Sequence, residues 1–587
     1  MGCTAQAWVH ASLDPVTGAV HFTAASDSDV TSGLAGVLVA ALSGLPPAAV
    51  LAADGAWLRV LGLGGAAGGL AASRVNGFAN MLEAMKRRAR MLTSDLPRFP
   101  SLLITKDALE PQGAFAEAQA QFLRPDGAAV DALAASLREK RMGVVAHFYM
   151  DPQVQGVLSA AAEQWPHIHI SDSLVMADAA VKMAEAGCEA VAVLGVDFMS
   201  ENVRAILDEA GHTGVKVYRM SASPIGCSLA EAAESAAYDS FLSEAAATPQ
   251  SLHVVYINTS LLTKATANEL VPTITCTSSN VVQTILQAFA QVPDLTVWYG
   301  PDTYMGRNLA QLFTMLAAAP DADVAALHPA HTAATVRALL PRLRHFDSGT
   351  CIVHHIFGGE VCELVRAGYG DAYLTAHFEV PGEMFTLAME AKARGMGCVG
   401  STSNILDFIA GKLEDALAAP HGDRLQFVLG TEAGMITSIV RKVQAMLAAS
   451  GRSHVEVEVV FPVAQQSIST PQQAPSAGAA RLQLPGGLAV VPGPAAGEGC
   501  SLEGGCAACP YMRMNTLAAL NSVVGRAGSP EGEAALEAFK PRAYASRVGG
   551  KSVAAAGCVP ILHMRAFTQT KELGAPLVED ILGRHAK

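Results

Sequence analysis

Cysteines are the residues most capable of metal or redox chemistry in this chain of 587 residues, which has 11 of them at irregular intervals. The segment GCSLEGGCAACPYM, residues 499–512, places Cys500, Cys506 and Cys509 in the spacing C-x5-C-x2-C, with a proline directly after Cys509. A secreted disulfide scaffold is short and dense in cysteine. This scattered distribution therefore predicts a reducing compartment and a few special thiols.

Three cysteines from distant parts of the chain stand at loop junctions, where a thiolate could be directed at a shared centre. Cys227 lies in SPIGCSLAEA, Cys351 in DSGTCIVHH and Cys509 in CAACPYM. Each alone could equally be a buried thiol, because free cysteine packs well in protein cores. That simpler interpretation is preferred for the cysteines inside apolar patterns, which are Cys188, Cys362, Cys398 and Cys558.

The type of metal follows from the absence of a fourth protein ligand in a site of three thiolates. A structural zinc site needs four ligands, usually from two paired arms. The chain has one C-x2-C pair and no H-x3-H pair. Three dispersed thiolates suit a [4Fe–4S] cluster that leaves one iron open, and such an iron can act as a Lewis acid on substrate oxygens.

From Val130 onward the sequence alternates between apolar runs of strand length and helical patterns. This alternation predicts an α/β fold with parallel sheets covered by helices on both faces, and several sheets rather than one. The predicted buried strands are 143–150, 190–199, 253–260, 295–302, 351–357, 372–380 and 425–434.

Polar residues concentrate toward the downstream ends of these runs. In open parallel sheets this is the edge where ligands bind, so we expect a binding crevice there. Solvent-exposed loops alone would favour Lys, Asn, Ser and Gly at these positions, rather than the His, Tyr, Asp and Glu that occur there. The residues are His147, Tyr149, Asp197, Tyr256, Asn258, Asp302, His354, His355, His377, Glu379, Thr431 and Glu432.

The first ninety residues have a different pattern. Two short strands flank the turn DPVTG within residues 4–24, and helical patterns follow over 28–45 and 72–92. We expect a small α+β domain at 1–92, a linker at 93–127, and a large region at 128–587 with a flexible insertion at 464–499.

Charge and hydropathy exclude some partners. The net charge is −13, which makes nucleic acid an unexpected partner. Pro46 and Pro47 divide the one long uncharged stretch into pieces too short for a membrane span, so no membrane partner is expected.

Residues 126–587 resemble the quinolinate synthase family. The motifs that carry the resemblance include AHFYMDPQVQ, ISDSLVMADAAVKMAEAG, IGCSLAEA, VVYINTSLLTKA, CIVHH, HFEVPGEMF and GSTSNIL. The resemblance implies a transferase that condenses iminoaspartate with dihydroxyacetone phosphate to quinolinate, losing phosphate and water, in NAD biosynthesis. It also implies three similar αβα domains around a [4Fe–4S] cluster, and a homodimer.

The same resemblance implies roles for individual residues. The cluster ligands would be Cys227, Cys351 and Cys509, and the proton-transfer candidates Glu379, Tyr149 and His377. For Ser173 and Ser401, capping of a helix is an alternative to substrate contact. The family's His-Pro-Glu motif is His377-Phe378-Glu379 here. The expected substrate-binding residues are His147, Asp172, Ser173, Tyr256, Asn258, Ser278, His377, Ser401 and Thr402.

The front of the chain resembles the SufE family of cysteine desulfurase activators, through GCTAQAWV, SDSDVTSGLAGVLVAALSGLPPAAVL and SRVNGFANMLEAMKRRA. Cys3 corresponds to that family's persulfide acceptor, although the family's serine and valine nearby are Ala5 and Ala7 here. The helices that precede this motif in the family, and any transit peptide, are absent from the sequence. A fusion of the two modules resembles the plastid quinolinate synthases of plants and green algae, which implies the chloroplast stroma and a cysteine desulfurase partner.

Two other functions remain open at this stage: another open-iron [4Fe–4S] hydro-lyase, and an Fe–S assembly or carrier protein. A carrier needs no substrate contacts, so the polar crevice argues against it. Within the segment 499–512, Cys509 is then the expected cluster ligand, and Cys500 is expected to have no metal role. A Cys506–Cys509 disulfide that competes with the cluster is a further hypothesis.

Overall fold

The computed structural model describes residues 7–26, 28–53, 81–82, 84–86, 88–89, 92, 98–121, 123, 125–419, 423–451, 455–463, 482–483, 489–490 and 509–585. At the front, strands β1 (Ala7–Leu13) and β2 (Val20–Ser26) form an antiparallel hairpin. The Asp14 carboxylate closes the turn by accepting the Val16 and Thr17 N–H groups at 2.8 Å. Helices α1 (Asp29–Leu42) and α2 (Pro47–Ala52) follow, and the described residues between 81 and 92 are also helical. The hairpin and the first helix confirm the sequence-based expectation.

Residues 98–121 are not the irregular linker that the sequence led us to expect. They form strands β3 (Ser101–Ile104) and β4 (Leu109–Gln112) and helix α3 (Ala114–Gln121). The run SLLI is fully buried because it pairs with a strand far along the chain, and a run of four residues has too little pattern to reveal this.

The first parallel sheet has the strand order β6-β5-β7-β8. Its strands are β5 (Met142–His147), β6 (Ile168–Ser171), β7 (Ala190–Leu194) and β8 (Lys216–Arg219). Its helices are α4 (Gly127–Glu139), α5 (Pro152–Ala161), α6 (Ser173–Glu185) and α7 (Asp197–Glu209).

The second parallel sheet has the order β10-β9-β11-β12. Two helices precede it, α8 (Ser228–Ala232) and α9 (Ala236–Ala247). Its strands are β9 (Ser251–Tyr256), β10 (Thr273–Cys276), β11 (Thr296–Gly300) and β12 (Leu343–His345). Its helices are α10 (Leu261–Leu270), α11 (Val281–Gln291), α12 (Thr303–Leu316), α13 (Asp321–Leu327) and α14 (Ala333–Leu339).

The third sheet has the order β14-β13-β15-β16 and continues, antiparallel, into β3 and β4. Its parallel strands are β13 (Tyr373–His377), β14 (Gly397–Gly400), β15 (Asp423–Gly430) and β16 (Val455–Val460). Its helices are α15 (Gly359–Gly368), α16 (Gly382–Ala393), α17 (Thr402–Ala418) and α18 (Ile436–Ser450).

The three sheets therefore share one topology. In each sheet the four parallel strands can be numbered 1 to 4 in chain order. Their order across the sheet is then 2-1-3-4 in all three units. The order reverses beside the first strand, and such a switch point opens a crevice at the carboxyl edge. The predicted α/β architecture of three similar αβα units is confirmed, and equivalent loops of the units can be compared directly.

One predicted strand is wrong. The run CIVHHIF at 351–357 forms a turn and a short 3-10 helix (His354–Ile356) after the fourth strand of the second unit. A short apolar run does not by itself distinguish a strand from a packed loop. The loop places Cys351 and His354 beside residues of the third unit.

The last described segment returns to the first and second units. It contains α19 (Leu517–Arg526), α20 (Pro530–Leu536), α21 (Val553–Thr570) and α22 (Ala575–Gly583), and the hairpin of β19 (Arg547–Val548) and β20 (Lys551–Ser552). Before it, β17 (Leu482–Gln483) pairs with β18 (Ala489–Val490) within the predicted insertion. No helix in the described ranges has the length and apolar character needed to cross a bilayer.

The close approach of α21 to α10 requires a glycine, which gives a stability prediction. A Cβ at Gly557 would lie 2.3 Å from the Leu261 carbonyl oxygen, whereas a Cβ at Gly411 in α17 would meet nothing within 4 Å. We expect Gly557→Ala to destabilise the chain by about 1–3 kcal/mol through overpacking. Gly411→Ala should be neutral or stabilise by up to about 1 kcal/mol. Chemical denaturation of both variants measures this, and equal stabilities would contradict the close packing.

Candidate active site

The carboxyl edges of the three sheets meet at one pocket. It holds about 750 Å³ of empty space, part of it open to solvent. Every residue predicted to be catalytic, substrate-binding or metal-ligating that the structure describes lines it, with the exception of Ser401. The predicted residues on its wall are His147, Tyr149, Asp172, Ser173, Cys227, Tyr256, Asn258, Ser278, Cys351, His377, Glu379, Thr402 and Cys509.

Equivalent strands supply equivalent kinds of groups. The end of each first strand contributes a pair of polar residues separated by one residue: His147 and Tyr149, Tyr256 and Asn258, and His377 and Glu379. The end of each second strand contributes a hydroxyl residue near the start of the next helix: Ser173, Ser278 and Thr402. A cysteine follows each fourth strand: Cys227, Cys351 and Cys509. The first and second units thus each provide all three classes of group, and the third class for the third unit comes from Cys509, which lies later in the chain, in the segment held to the first sheet.

Hydrogen bonds join the three cysteine loops to one another. The Ser228 hydroxyl, next to Cys227, donates to the Thr350 carbonyl at 3.0 Å, beside Cys351. The Tyr511 hydroxyl, two residues after Cys509, donates to Glu231 Oε1 at 3.3 Å, in the helix that Cys227 begins. These contacts bring the thiols to one side of the pocket.

The Cys509 turn is also fixed to the first sheet. Asn515 is buried, and its Oδ1 accepts the Gly195 N–H at 3.0 Å while its Nδ2 donates to the Met512 carbonyl at 2.9 Å. Gly195 directly follows β7, so the turn after Cys509 is held against the end of that strand.

The thiols have the surroundings of metal ligands. Each sulfur accepts a backbone N–H from the turn that follows it, from Leu229 and Ala230 for Cys227, and from Tyr511 and Met512 for Cys509. For Cys351 the donor is the His354 N–H. Burial raises the pKa of all three thiols, to about 12 for Cys227 and well above the usual range for Cys351 and Cys509. N–H groups directed at sulfur stabilise the thiolate that a metal requires.

The spacing of the thiols argues against a single ion. Among the described residues, the metal-binding atoms that all lie within 4.8 Å of one another belong to Cys351, His354 and Glu379, and the three thiols do not form such a group. A tetrahedral zinc ion with Zn–S bonds of about 2.3 Å would bring its sulfurs to about 3.8 Å from one another. The wider set fits a larger group.

Glu379 is the central carboxylate of the pocket. His354 Nδ1 donates to its Oε2 at 3.0 Å, and the Tyr256 hydroxyl donates to its Oε1. Burial alone would raise the pKa of this carboxyl, but the His354 charge and these hydrogen bonds outweigh burial and lower it. His354 Nδ1 is committed to Glu379 and lies 3.3 Å from Cys351 Sγ, so these three residues form a hydrogen-bonded chain.

The two pocket histidines are held in one orientation by their own backbone. The N–H of Tyr149 donates to His147 Nδ1 at 3.2 Å, and the N–H of Glu379 donates to His377 Nδ1 at 3.3 Å. A nitrogen that accepts an N–H carries no proton, so each neutral ring bears its proton on Nε2. Burial lowers the pKa to about 3 for His147 and about 4 for His377, so both stay neutral at physiological pH. The 3.9 Å approach of His377 Nδ1 to Glu379 is therefore not an ion pair.

Helix starts supply sites for anionic groups. Ser173 and Thr402 are the first residues of α6 and α17, and unpaired N–H groups and the helix dipole favour anions at such positions. Asp172 caps α6 by accepting the Val175 N–H at 3.1 Å. Ser401 caps α17 in a capping box with Asn404 and does not line the pocket, so the capping interpretation holds for Ser401.

Sequence reasoning missed two participants. Glu432 and His354 were noted only as polar residues in the predicted strand runs. Glu432 lines the pocket, its Oε2 has no partner, and its pKa is raised by burial and by Glu379. His354 is fully buried, holds Glu379, and stacks on His377 with 4.9 Å between ring centroids. The sequence signals that could have identified them are a glutamate directly after a buried strand, for Glu432, and two adjacent histidines, for His354.

Other predicted participants lie elsewhere. Asp197 bonds Arg219 and the Ile225 N–H, and Asp302 caps α12, and neither lines the pocket. Cys3, Cys500 and Cys506 lie outside the described residues, so the persulfide and disulfide hypotheses stay predictions.

Three parallel-sheet units that meet at a thiol-lined pocket define a multidomain α/β protein with a central site. The family model described as "Quinolinate synthetase A protein" matches residues 131–454, more than half of the chain. The chain belongs to the quinolinate synthase family. A second family model, "Fe-S metabolism associated domain" (SufE), matches residues 1–89, and this match indicates iron–sulfur involvement.

Relatives support the assignment over the whole chain. A chloroplastic quinolinate synthase of Nicotiana tabacum is 55% identical over 100% of this chain and 81% of its own length. That of Arabidopsis thaliana is 52% identical over 100% of this chain and 82% of its own length. A quinolinate synthase of Thermosynechococcus vestitus is 24% identical over 65% of this chain and 82% of its own length.

Proposed function

We propose that this chain is a quinolinate synthase that condenses iminoaspartate with dihydroxyacetone phosphate to quinolinate, with loss of phosphate and water. The observation that carries the proposal is the convergence of three thiols, two fixed imidazoles, one ionised carboxylate and helix-start hydroxyls on one pocket. Family membership supports the same reaction.

Cys227, Cys351 and Cys509 would hold a [4Fe–4S] cluster. Their burial, the N–H groups directed at each sulfur and their wide spacing fit such a group. When bound, the cluster would supply Lewis-acid chemistry at its one iron without a cysteine ligand.

Proton transfer falls to the groups around Glu379. Its ionised carboxylate is the proton acceptor, and Tyr256 and His354 orient it from two sides. Tyr149 is half-buried, and burial together with the Glu432 and Glu379 carboxyls raises its pKa well above its usual range, so its hydroxyl stays protonated and is the proposed proton donor. A substrate that loses water needs both a base and an acid within reach.

Substrate recognition would use the neutral donors of the pocket. Both substrates carry carboxylate or phosphate groups, which suit the starts of α6 and α17 at Ser173 and Thr402. The Nε2–H groups of His147 and His377 add donors whose direction is fixed, because their other ring nitrogens are occupied. The remaining polar contacts would come from Asn258 and Ser278.

A second candidate, another open-iron hydro-lyase, would use the same acid and base. Hydroxyls from all three units and imidazoles from the first and third favour a condensation, because two substrates must be held at once. An iron–sulfur carrier does not require an ionised and oriented glutamate, so Glu379 argues against that function.

The amino-terminal SufE-like unit would serve this cluster by receiving sulfur from a cysteine desulfurase at Cys3. The match to an Fe–S metabolism domain supports this role, and the names of the plant relatives support a plastid location, which we place in the stroma.

Activity tests the proposal directly. The anaerobically reconstituted chain should convert iminoaspartate and dihydroxyacetone phosphate to quinolinate and free phosphate. Glu379→Gln should lower kcat by about 10²–10⁴-fold, because the proton acceptor is lost. Glu458→Gln is the control, since Glu458 is also buried but bonds Ser101, Arg424 and Gln426 in the third sheet. A loaded cluster without either product would overturn the function.

The cluster ligands are tested by absorbance and by iron and sulfide analysis. Cys227→Ser, Cys351→Ser and Cys509→Ser should each abolish the visible absorbance after reconstitution. Cys558→Ser should keep it, because that thiol has an equally raised pKa of about 12 through burial but lies in α21. A full cluster in any of the first three variants would remove that residue from the ligand set.

The sulfur-relay role is tested with a cysteine desulfurase. The chain should stimulate sulfide release from cysteine, and Cys3→Ala should return the rate to that of the desulfurase alone. Cys398→Ala, a half-buried thiol in β14, serves as the control. Unchanged stimulation in Cys3→Ala would refute the relay.

A further inference from the structure

The loop after each first strand contains the same unusual arrangement. The second polar residue of each pair stands between two backbone carbonyls that both accept from one buried side chain. The three buried side chains are Gln155, Lys264 and Asn308, all with 0% exposure. Each belongs to a helix of the first or second unit.

Around Glu379, the clamping residue is Asn308 in α12. Its Nδ2 donates to the Phe378 carbonyl at 2.9 Å and to the Val380 carbonyl at 2.8 Å. Its Oδ1 is buried without a partner. An amide whose oxygen stays unpaired while both hydrogens are used is retained for its donors.

Around Asn258, the clamping residue is Lys264 in α10. Its Nζ donates to the Ile257 carbonyl at 3.1 Å and to the Thr259 carbonyl. Nζ also lies 5.8 Å from the centre of the Phe198 ring, which lines the pocket. A buried lysine is costly, and its hydrogen bonds are to the carbonyls of the two residues that flank a pocket residue.

Around Tyr149, the clamping residue is Gln155 in α5. Its Nε2 donates to the Phe148 carbonyl at 2.7 Å and to the Met150 carbonyl at 2.8 Å. It also donates to the Gly434 carbonyl, beside Glu432, and its Oε1 has no partner. The same hydrogen-bond geometry thus occurs in the loops of all three units. The donor is a side-chain amide nitrogen for the first and third units and the lysine Nζ for the second.

Two fixed carbonyls determine the direction of the side chain between them. The first carbonyl belongs to the peptide group that precedes the pocket residue, and the second belongs to the peptide group that follows the next residue. Holding both to one side chain restricts the backbone torsions between them, and so restricts the orientation of the Cα–Cβ bond of the pocket residue. An unpaired buried carbonyl is unfavourable, so loss of the clamp would let the loop turn its carbonyls toward another donor.

We propose that Gln155, Lys264 and Asn308 are positioning residues that aim Tyr149, Asn258 and Glu379 into the pocket by holding the carbonyls on either side of them. The kinetic part of this inference rests on the function proposed above. The structural part depends only on the geometry of the loops.

Kinetics should separate two of the clamps. Because Glu379 is the base, Asn308→Leu should lower kcat about tenfold to a hundredfold and leave KM near the wild-type value. Because Asn258 contacts substrate, Lys264→Met should raise KM for one substrate by a similar factor with little change in kcat. Lys264→Arg keeps two donors on a cation and should recover part of the loss. Asn308→Ser keeps one donor and serves if Asn308→Leu does not fold.

Arg584→Met is the matched control. Arg584 donates to the Asn268 and Glu269 carbonyls at 3.0 and 3.1 Å, at the other end of the helix that carries Lys264. It should lose stability without either kinetic effect. If Asn308→Leu and Lys264→Met share one kinetic pattern, or match Arg584→Met, the positioning roles are wrong.

Hydrogen–deuterium exchange tests the clamps without any activity. Exchange should rise at 148–150, 257–259 and 378–380 in Gln155→Leu, Lys264→Met and Asn308→Leu respectively, each variant affecting its own loop. Unchanged exchange in the clamped loops would overturn the inference. If the wild-type chain makes no quinolinate, the proposed function fails, and exchange still decides whether the clamps exist.

Discussion

The ionised Glu379 carboxylate is the interaction on which the rest of the pocket depends. It is a buried charge, and such a charge persists only when it is paired and hydrogen-bonded. His354 and Tyr256 supply this pairing from the second unit to a residue of the third. Burial and this charge together raise the pKa of the Glu432 carboxyl, which also lines the pocket, and of the Asp302 carboxyl outside it.

The threefold topology explains how such a charge can be surrounded. Each sheet presents its first strand at the switch point, so three equivalent strand ends face one space. The equivalent positions then differ only in side chain: Tyr149, Asn258 and Glu379 occupy the same place in the three loops. A hydroxyl, an amide and a carboxylate thus stand at equivalent positions of loops whose flanking carbonyls accept equivalent hydrogen bonds, and the side chain sets the chemistry of each position.

The sequence predicted much of the site because the site lies at strand ends. Buried runs ending in His147, Tyr256 and His377 could be read from hydropathy, and the polar residue two positions after each strand shared the same signal. Long-range pairing could not be read: the strand Ser101–Ile104 is defined by its partner β16, more than three hundred residues away. Lys264 resembles an ordinary helical lysine in the sequence, since nothing local shows that its face is buried. Family likeness supplied the metal ligands where pattern alone left buried thiols as an alternative.

Cys227, Cys351 and Cys509 come from different parts of the fold, so the proposed cluster binding would depend on how these parts are arranged. Burial raises the pKa of Cys227 and Cys351, and the Glu379 charge raises both further, so without a metal these thiols are neutral. In the proposed assignment, a metal group would displace their protons, and its positive charge would offset the nearby carboxylate. Cys227 follows the fourth strand of the first sheet, Cys351 follows that of the second, and Cys509 lies in the segment held to the first sheet, so the proposed metal bonds would join these parts of the chain. The free energy of cluster binding would then also stabilise the contacts that hold His354 and Tyr256 against Glu379.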